Sequence, residues 1–274
     1  MKTLISKMNN NQSFLFAPVN PKSISVFRIL VALMITFMFS QKGLTPIYPL
    51  TEFPILCKYM FSDYYYGLIY LLILLFAIGI RPQIIAILLF IILLPHDFLI
   101  QGRKSKQVIL CVLLCFGFIK SLPVWHLNKK EFLISNISPI WPIRLIQIQL
   151  TLLYGVNAIA KTTYEYLSGD LLIEMSKTYR NFRVDFSDGY YHLLDIPVPV
   201  FVLAIASTLI EYFLAIGFWF KKTRWFALVI GILFHLSLTQ VVKIFMLDYV
   251  SMFLYLAFII PFSFGVKDIM VRNN

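Results

Sequence analysis

The chain has 274 residues, of which 59% are hydrophobic and only 14% charged, with a formal net charge of +11 and a mean hydropathy of +0.81. Soluble domains carry about 25% charged residues, so this composition excludes a soluble globular protein and points to a multi-pass helical membrane protein in one compact domain. Nor does the positive charge indicate a nucleic-acid partner, because the lysines and arginines stand in short groups between apolar runs, as they do in membrane loops.

A helix needs about 20 apolar residues to cross about 30 Å of hydrocarbon. Runs that meet this measure or approach it lie at about 24–40, 64–80, 83–99, 107–123, 145–162, 198–220, 225–242 and 246–265. The expected fold class is therefore all-α: a polytopic transmembrane bundle of about eight spans. Residues 1–23 are polar and contain no short apolar core before a cleavage site, so they are expected to be a cytoplasmic segment rather than a cleaved signal peptide. Residues 24–265 form the membrane domain and 266–274 a cytoplasmic tail.

Charge sets the expected orientation. With the N-terminus in the cytoplasm, Lys22, Arg28, Arg81, Lys120, Arg144, Lys221, Lys222 and Arg224 face inward, and most carboxylates, Asp63, Glu165, Asp170 and Glu174 among them, face outward. The Lys221-Lys222-Thr223-Arg224 turn is the best single support. Trp125, Trp141, Trp219 and Trp225 then form an aromatic belt at the inner interface. Between the fifth and sixth spans, residues 163–197 are expected outside as an interfacial, lid-like segment, since Leu171–Met175 and Tyr179–Phe186 mix aromatic, apolar and charged residues. Ile196-Pro197-Val198-Pro199 is expected to restart the membrane helix.

Chemistry gathers around Trp141–Gly169, a hydrophobic helix with Gln147, Gln149 and Asn157 inside it and Lys161 at its end. A polar side chain in hydrocarbon costs several kcal/mol unless it finds a partner or a wet cavity. Lys161 has two readings. It snorkels to the interface as an anchor, or it is partly buried and its neutral amine acts as a base. Asn157 four residues back and Tyr154 seven back share its helix face, which makes that stripe polar and aromatic. His235 lies within an apolar helix, either as a hydrogen-bonded packing residue or as part of an outward-facing pocket with Lys161, Thr239, Gln240 and Lys243. Glu211 is the only carboxylate well inside a span; Lys161 and His235 are both open to it as partners.

Asp170 and Glu174 are taken as solvated rather than as a metal site. Cys57, Cys111 and Cys115 match neither a disulfide framework nor a zinc spacing. Walker, Rossmann, zincin and serine-elbow motifs are all missing.

Arg144-Leu145-x-Gln147, Tyr154, Asn157 to Lys161, Tyr166 and Gly169 together resemble the membrane signature of vitamin K-dependent gamma-carboxylase and the wider HTTM (horizontally transferred transmembrane domain) superfamily. Phe234-His235, followed by Lys243, Phe245 and Tyr249, is similar to the second signature of that superfamily, and Phe27-Arg28-Ile29-Leu30 has the character of its first span. Ala158 stands where a glycine is usual and Tyr166 where a tryptophan is. In the carboxylase the lysine matching Lys161 deprotonates vitamin K hydroquinone, starting an oxygen-dependent epoxidation whose strong base removes a glutamate proton for carboxylation. The resemblance implies that role for Lys161, with His235 beside it in the pocket as a second catalytic residue, Tyr154, Asn157, Glu211, Gln240 and Gly169 as substrate or cofactor pocket, and a reduced vitamin K-like membrane quinone as possible cofactor. In length and layout the chain is similar to the short bacterial SdpB-type proteins of sporulation-delaying-peptide systems. That likeness implies a protein of the bacterial cytoplasmic membrane that matures a secreted antimicrobial peptide, with companion membrane proteins as further partners. The opposing expectation is a non-enzymatic scaffold or exporter subunit. An ion channel would need polar residues through the whole bilayer, whereas here they gather in the outer half.

Overall fold

The computed structural model describes residues 14–40, 62–99, 104–127, 138–178, 182–193, 196–242 and 245–259. The chain is mostly helical and divides into two compact units, one reaching to Gln147 and also taking in Ile259, the other spanning Ile148–Phe258.

In the first unit, β1 (Pro18–Val19) leads into α1 (Pro21–Ser40); α2 (Asp63–Ile78), α3 (Pro82–Leu99) and α4 (Lys104–Phe116) follow. β2 (Ser138–Pro139) pairs antiparallel with β1, Pro18 opposite Pro139, so α1 and α5 (Trp141–Ala160) begin from one short ladder. α2 starts at a Ser62 cap whose side chain accepts from the Tyr65 N–H, and it stops at Gly79 in the left-handed conformation (φ 91°). Phe76 and Phe27 close around Phe116, with ring centroids 5.3 and 5.6 Å from it. The Tyr65 hydroxyl donates to the Ile92 carbonyl at 2.7 Å, in the turn where Pro95 interrupts the helical hydrogen-bond ladder.

Arg28 lies fully buried in this unit. Its guanidinium donates to Ser121 Oγ (2.7 Å), the Leu122 carbonyl (2.8 Å) and the Ala77 carbonyl (3.2 Å). Ala77 lies in the last turn of α2, so the cation meets the negative end of that helix's dipole. A Cβ on Gly79 would stand 2.6 Å from the guanidinium, so this position takes glycine for space as well as for its positive φ. Chain direction places Lys22, Arg28, Arg81, Lys120 and Arg144 at the same end of the unit. There α1, α3 and α5 begin, α2 ends, and the chain following α4 returns to bond Ser25 and Arg28 through Leu122.

In the second unit, the rest of α5 is followed by α6 (Tyr164–Leu167), α7 (Asp170–Thr178), the hairpin β3 (Tyr190–Leu193) and β4 (Ile196–Pro199), then α8 (Val200–Gly217), α9 (Arg224–Val241) and α10 (Phe245–Leu254), the last continuing as a 3-10 turn over Tyr255–Phe258.

All eight apolar runs carry helix, and four helices are long and apolar enough to cross a membrane: Pro21–Ser40, Trp141–Ala160, Val200–Gly217 and Arg224–Val241. The all-α expectation needs correction at the two small ladders. Residues 196–199 pair with β3 instead of restarting a helix, because a residue before proline is held extended and prolines stay at strand edges. The helix begins one residue later, at Val200, whose N–H donates to the Gly189 carbonyl. Within the lid-like stretch, Tyr179, Arg180 and Asn181 lie outside the described residues.

Candidate functional site

Lys161 follows the last residue of α5, its N–H closing the helix onto the Asn157 and Ala158 carbonyls. Its Nζ lies 3.0 Å from Oε1 of Glu211, with the lysine side chain 24% and the glutamate side chain 6% exposed. Glu211 is eleven residues into α8, which at 1.5 Å per residue is about 16 Å along a helix about 27 Å long. The α5 end therefore meets the interior of an 18-residue apolar helix and not its rim. Of the two readings of Lys161, simple snorkelling loses its geometric basis: the ammonium turns to a buried carboxylate.

The surroundings of the pair are aromatic and hydroxylic. The Tyr166 ring centroid lies 5.4 Å from Nζ, within cation–π range. Tyr166 itself is buried, and its hydroxyl lies 3.1 Å from Ser207 Oγ. Ser207 gives its own proton to the Ala204 carbonyl, so Tyr166 is the donor of that bond. By the same reasoning Tyr212 donates to Thr162 across 2.9 Å, since Thr162 donates to the Ala158 carbonyl. Three contacts, Lys161 with Glu211, Thr162 with Tyr212 and Tyr166 with Ser207, thus tie the α5 end and α6 to two consecutive turns of α8. The chain reaches the start of α8 at Gly169, whose φ is 89° and whose Cβ position lies 3.0 Å from the Phe201 nitrogen. Gly169 serves a close backbone approach there, and Thr163 caps α6 by accepting from the Tyr166 N–H.

A second polar group lies one and a half to two turns back along α5. Tyr154, seven residues before Lys161 and so about 10 Å along the axis, meets His235 of α9 at 2.7 Å. Tyr255 meets the same His235 Nε2 at 2.9 Å and also contacts the Tyr154 hydroxyl. All three are buried: Tyr154 at 3%, His235 at 4% and Tyr255 at 0% exposure. Tyr255 is held between Gly231, where a Cβ would come within 2.7 Å of the ring, and Phe218, stacked at 4.7 Å. Nearby, Trp219 donates to Thr151 at 2.8 Å. The three polar tips satisfy one another, as buried phenols and imidazoles require.

The expected site residues therefore separate. Lys161 joins Glu211, and His235 joins Tyr154. Asn157 is half-buried, and its side chain makes no hydrogen bond among the described residues. Gln240 is exposed on α9, Thr239 is buried and donates to the Leu236 carbonyl, and Lys243 lies outside the described residues. Gln147, fully buried, accepts from Arg144 at 2.8 Å. Sequence reasoning missed Tyr255, Tyr212 and Ser207; the one available signal for Tyr255 was a glycine one turn before His235, which leaves room for a ring. Among the described residues no three His, Cys, Asp or Glu side chains form a group that could hold a metal ion.

The family model of the HTTM domain matches residues 16–261, well over half of the 274 residues, and the chain belongs to that family. No curated protein and no solved structure matches it.

Proposed function

We propose that this HTTM-family membrane protein modifies or matures a secreted, antimicrobial-type peptide at the outer membrane face, with the Lys161–Glu211 pair as its chemical centre. The observation that carries this reading is that pair: an amine and a carboxylate 3.0 Å apart, set within the depth of an apolar helix where charges are costly and mark function. The full proposal is an eight-span protein of the bacterial cytoplasmic membrane, related to the SdpB-type branch. Its residues 1–23 and 266–274 lie inside, 24–265 form one membrane domain, and 163–197 lie outside as an interfacial lid.

Passing one proton from the Lys161 ammonium to the Glu211 carboxylate, its hydrogen-bond partner at 3.0 Å, leaves a neutral amine that accepts a proton from the substrate, while Glu211 orients it. The more exposed lysine faces the reactants, while the buried carboxylate stabilises the charge from behind. Tyr166, whose ring lies beside Nζ, would hold a flat phenolic ring, and the Lys161 amine would take its hydroxyl proton. A reduced vitamin K-like quinone, oxidised by dioxygen, would supply the base strength by which a peptide carbon exchanges a proton for carbon dioxide. Tyr166 and Tyr212, fixed by Ser207 and Thr162, keep the wall of the site in place.

The test is mass spectrometry of peptides secreted by cells carrying the wild type or Lys161→Ala, at matched membrane abundance. A secreted peptide lighter by one carboxyl group in the variant is expected. Identical peptides would refute a chemical role for Lys161.

One observation favours a second reading: an ion pair at 3.0 Å is also a structural clamp, as a scaffold or exporter subunit would need. In that case Lys161→Arg keeps function, because arginine preserves the charge; as a base, arginine fails.

A further inference from the structure

The β3–β4 hairpin has one open edge and one closed edge, and proline decides which. In the antiparallel register Tyr190 lies opposite Pro199, Tyr191 opposite Val198, His192 opposite Pro197 and Leu193 opposite Ile196. Proline has no N–H to give, so the ladder bonds run through the Tyr191–Val198 and Leu193–Ile196 pairs, and the other two pairs turn their backbone groups outward. Two further bonds keep this alternation: the Val200 N–H donates to the Gly189 carbonyl at 3.0 Å, and the Tyr190 N–H turns away from β4 to Asp188 Oδ1, also at 3.0 Å. The outer edge of β4 therefore presents carbonyls and no N–H, a form in which exposed edges resist pairing. The outer edge of β3 presents the Tyr190 carbonyl and both the N–H and the carbonyl of His192, and none of the three has a partner among the described residues. Tyr191 turns its ring to the buried Phe186, with centroids 6.1 Å apart, so Tyr190 and His192 take the other face, where both are exposed. β4 runs on into α8 and lies against it, which leaves β3 as the outer strand.

We infer that the β3 edge is the docking strand for the peptide substrate, which adds to the hairpin as a third, extended strand. The inference rests on the reading of the Lys161–Glu211 pair as a peptide-modifying centre and names how that peptide is held. The occupant follows from the groups on offer. A donor set between two acceptors along an extended edge matches a peptide backbone: the residue opposite His192 exchanges two bonds with it, and a second residue donates to the Tyr190 carbonyl. A lipid carries no such row of alternating groups. A second copy of this chain, paired antiparallel about Tyr191, would need the Tyr190 N–H from each side, and Asp188 holds it. Position suits the role as well. Eleven residues of α8 separate its start at Val200 from Glu211, about 16 Å, which is the reach of about five residues of extended chain. A docked segment and a reacting side chain thus fit on one short peptide.

The test compares His192→Pro with His192→Ala in the full chain in cells, at matched membrane abundance. Both variants lose the imidazole and its bond to Asp188. Only proline loses the outward N–H, and it leaves the Tyr191–Val198 ladder bonds in place, which amide exchange at those two residues checks. Tyr190→p-benzoylphenylalanine in each background sets a photo-crosslinker on the edge, and the adduct is sequenced by mass spectrometry. We expect a short secreted peptide as the adduct, at least about tenfold scarcer with His192→Pro than with His192→Ala, the effect of one backbone hydrogen bond lost with its acceptor left unpaired. The same adduct forms in a Lys161→Ala background, because docking precedes chemistry. Equal yields with proline and alanine, no adduct, or cross-links only to lipid or to a second copy of this chain would overturn the inference. The two readings fail separately. If Lys161→Ala leaves the mass of the captured peptide unchanged, the chemistry falls and the docking strand stands. If that mass changes while the His192→Pro and His192→Ala proteins mature the peptide equally, the docking strand falls and the chemistry stands.

Discussion

Lys161→Met removes the ammonium while keeping most of the aliphatic stem, and so isolates the charge. Glu211 is then left with its side chain 6% exposed and without its cation. Breaking a buried pair costs about 3–5 kcal/mol. The lysine end is 24% exposed, and this partial access to the surface puts the expected loss at the low end, about 3 kcal/mol, roughly a hundredfold in the folded population. Glu211→Leu alone costs a similar amount or less, because a partly exposed ammonium is the easier charge to leave unpaired. The double variant Lys161→Met/Glu211→Leu has no charge to desolvate and returns to within about 1 kcal/mol of the wild type, since apolar replacement of a buried pair is often neutral. Unfolding of the purified protein in micelles, followed by helical circular dichroism, measures all four corners of the cycle. If the double variant loses the sum of the two single losses, the charges do not compensate each other and the pair does not hold α5 to α8. Peptide maturation in the same variants separates stability from chemistry: a double variant that is stable and still matures peptide would refute Lys161 as a base.

Glycine replacements probe the two buried polar groups. Gly231→Ala places a methyl within 2.7 Å of the Tyr255 ring, which Phe218 blocks on its other side, so an overpacking loss of about 1–3 kcal/mol is expected in a thermal melt. Gly155→Ala, with nothing within 4 Å of its Cβ, is the control and gains about 0.5–1 kcal/mol of helix stability. Gly79→Ala combines positive φ with a contact of 2.6 Å to the Arg28 guanidinium; a loss above about 1 kcal/mol and reduced membrane abundance on immunoblot are expected. The β3–β4 hairpin responds to acid. The Tyr190 N–H first, and then His192, hold the exposed Asp188 carboxyl below its usual range. A depressed folded value contributes stability above the unfolded one, near pH 4, and that contribution is lost as pH falls through the folded value. Amide exchange across residues 186–199 should therefore be flat near neutrality and rise only in acid below the usual carboxylate range, and Asp188→Asn should abolish that rise.

What the sequence made legible was the apolar periodicity and the rarity of charge within it. Eight apolar runs mark eight helices because the backbone must satisfy itself wherever side chains are apolar, and Glu211 stood out as the one carboxylate deep in such a run. The ladder at 196–199 was misjudged because proline suits both a helix start and a strand edge, and only the pairing with Tyr190–Leu193 decides. Partner choice was also hidden. Glu211 had Lys161 and His235 open to it, and the decision lay in where Tyr255 sits, which no spacing encodes. Arg28 was read as an inward-facing charge, whereas it is fully buried and bonded to carbonyls of two returning segments. Such a contact spans up to 94 positions in sequence and leaves no local trace.

Tyr154 and Lys161 share one face of α5 about 10 Å apart, yet their surroundings assign them different work. The Tyr154–His235–Tyr255 group is sealed, with none of its members more than 4% exposed. One imidazole nitrogen faces two hydroxyls that also face each other. A reactant would have to displace a ring wedged between Gly231 and Phe218 to reach His235. Lys161 is arranged the other way round, with its carboxylate buried behind it and its own side chain partly open. Access decides between them: the histidine group fixes α5 against α9 and the 3-10 turn, and the rigid helix so produced carries the lysine to a fixed place against α8. Tyr154→Phe, which removes one hydroxyl from the buried group, should then lower stability by about 1–3 kcal/mol and impair the proposed peptide maturation only as far as abundance falls. A stable, abundant Tyr154→Phe protein with no maturation would place the chemistry at His235 instead.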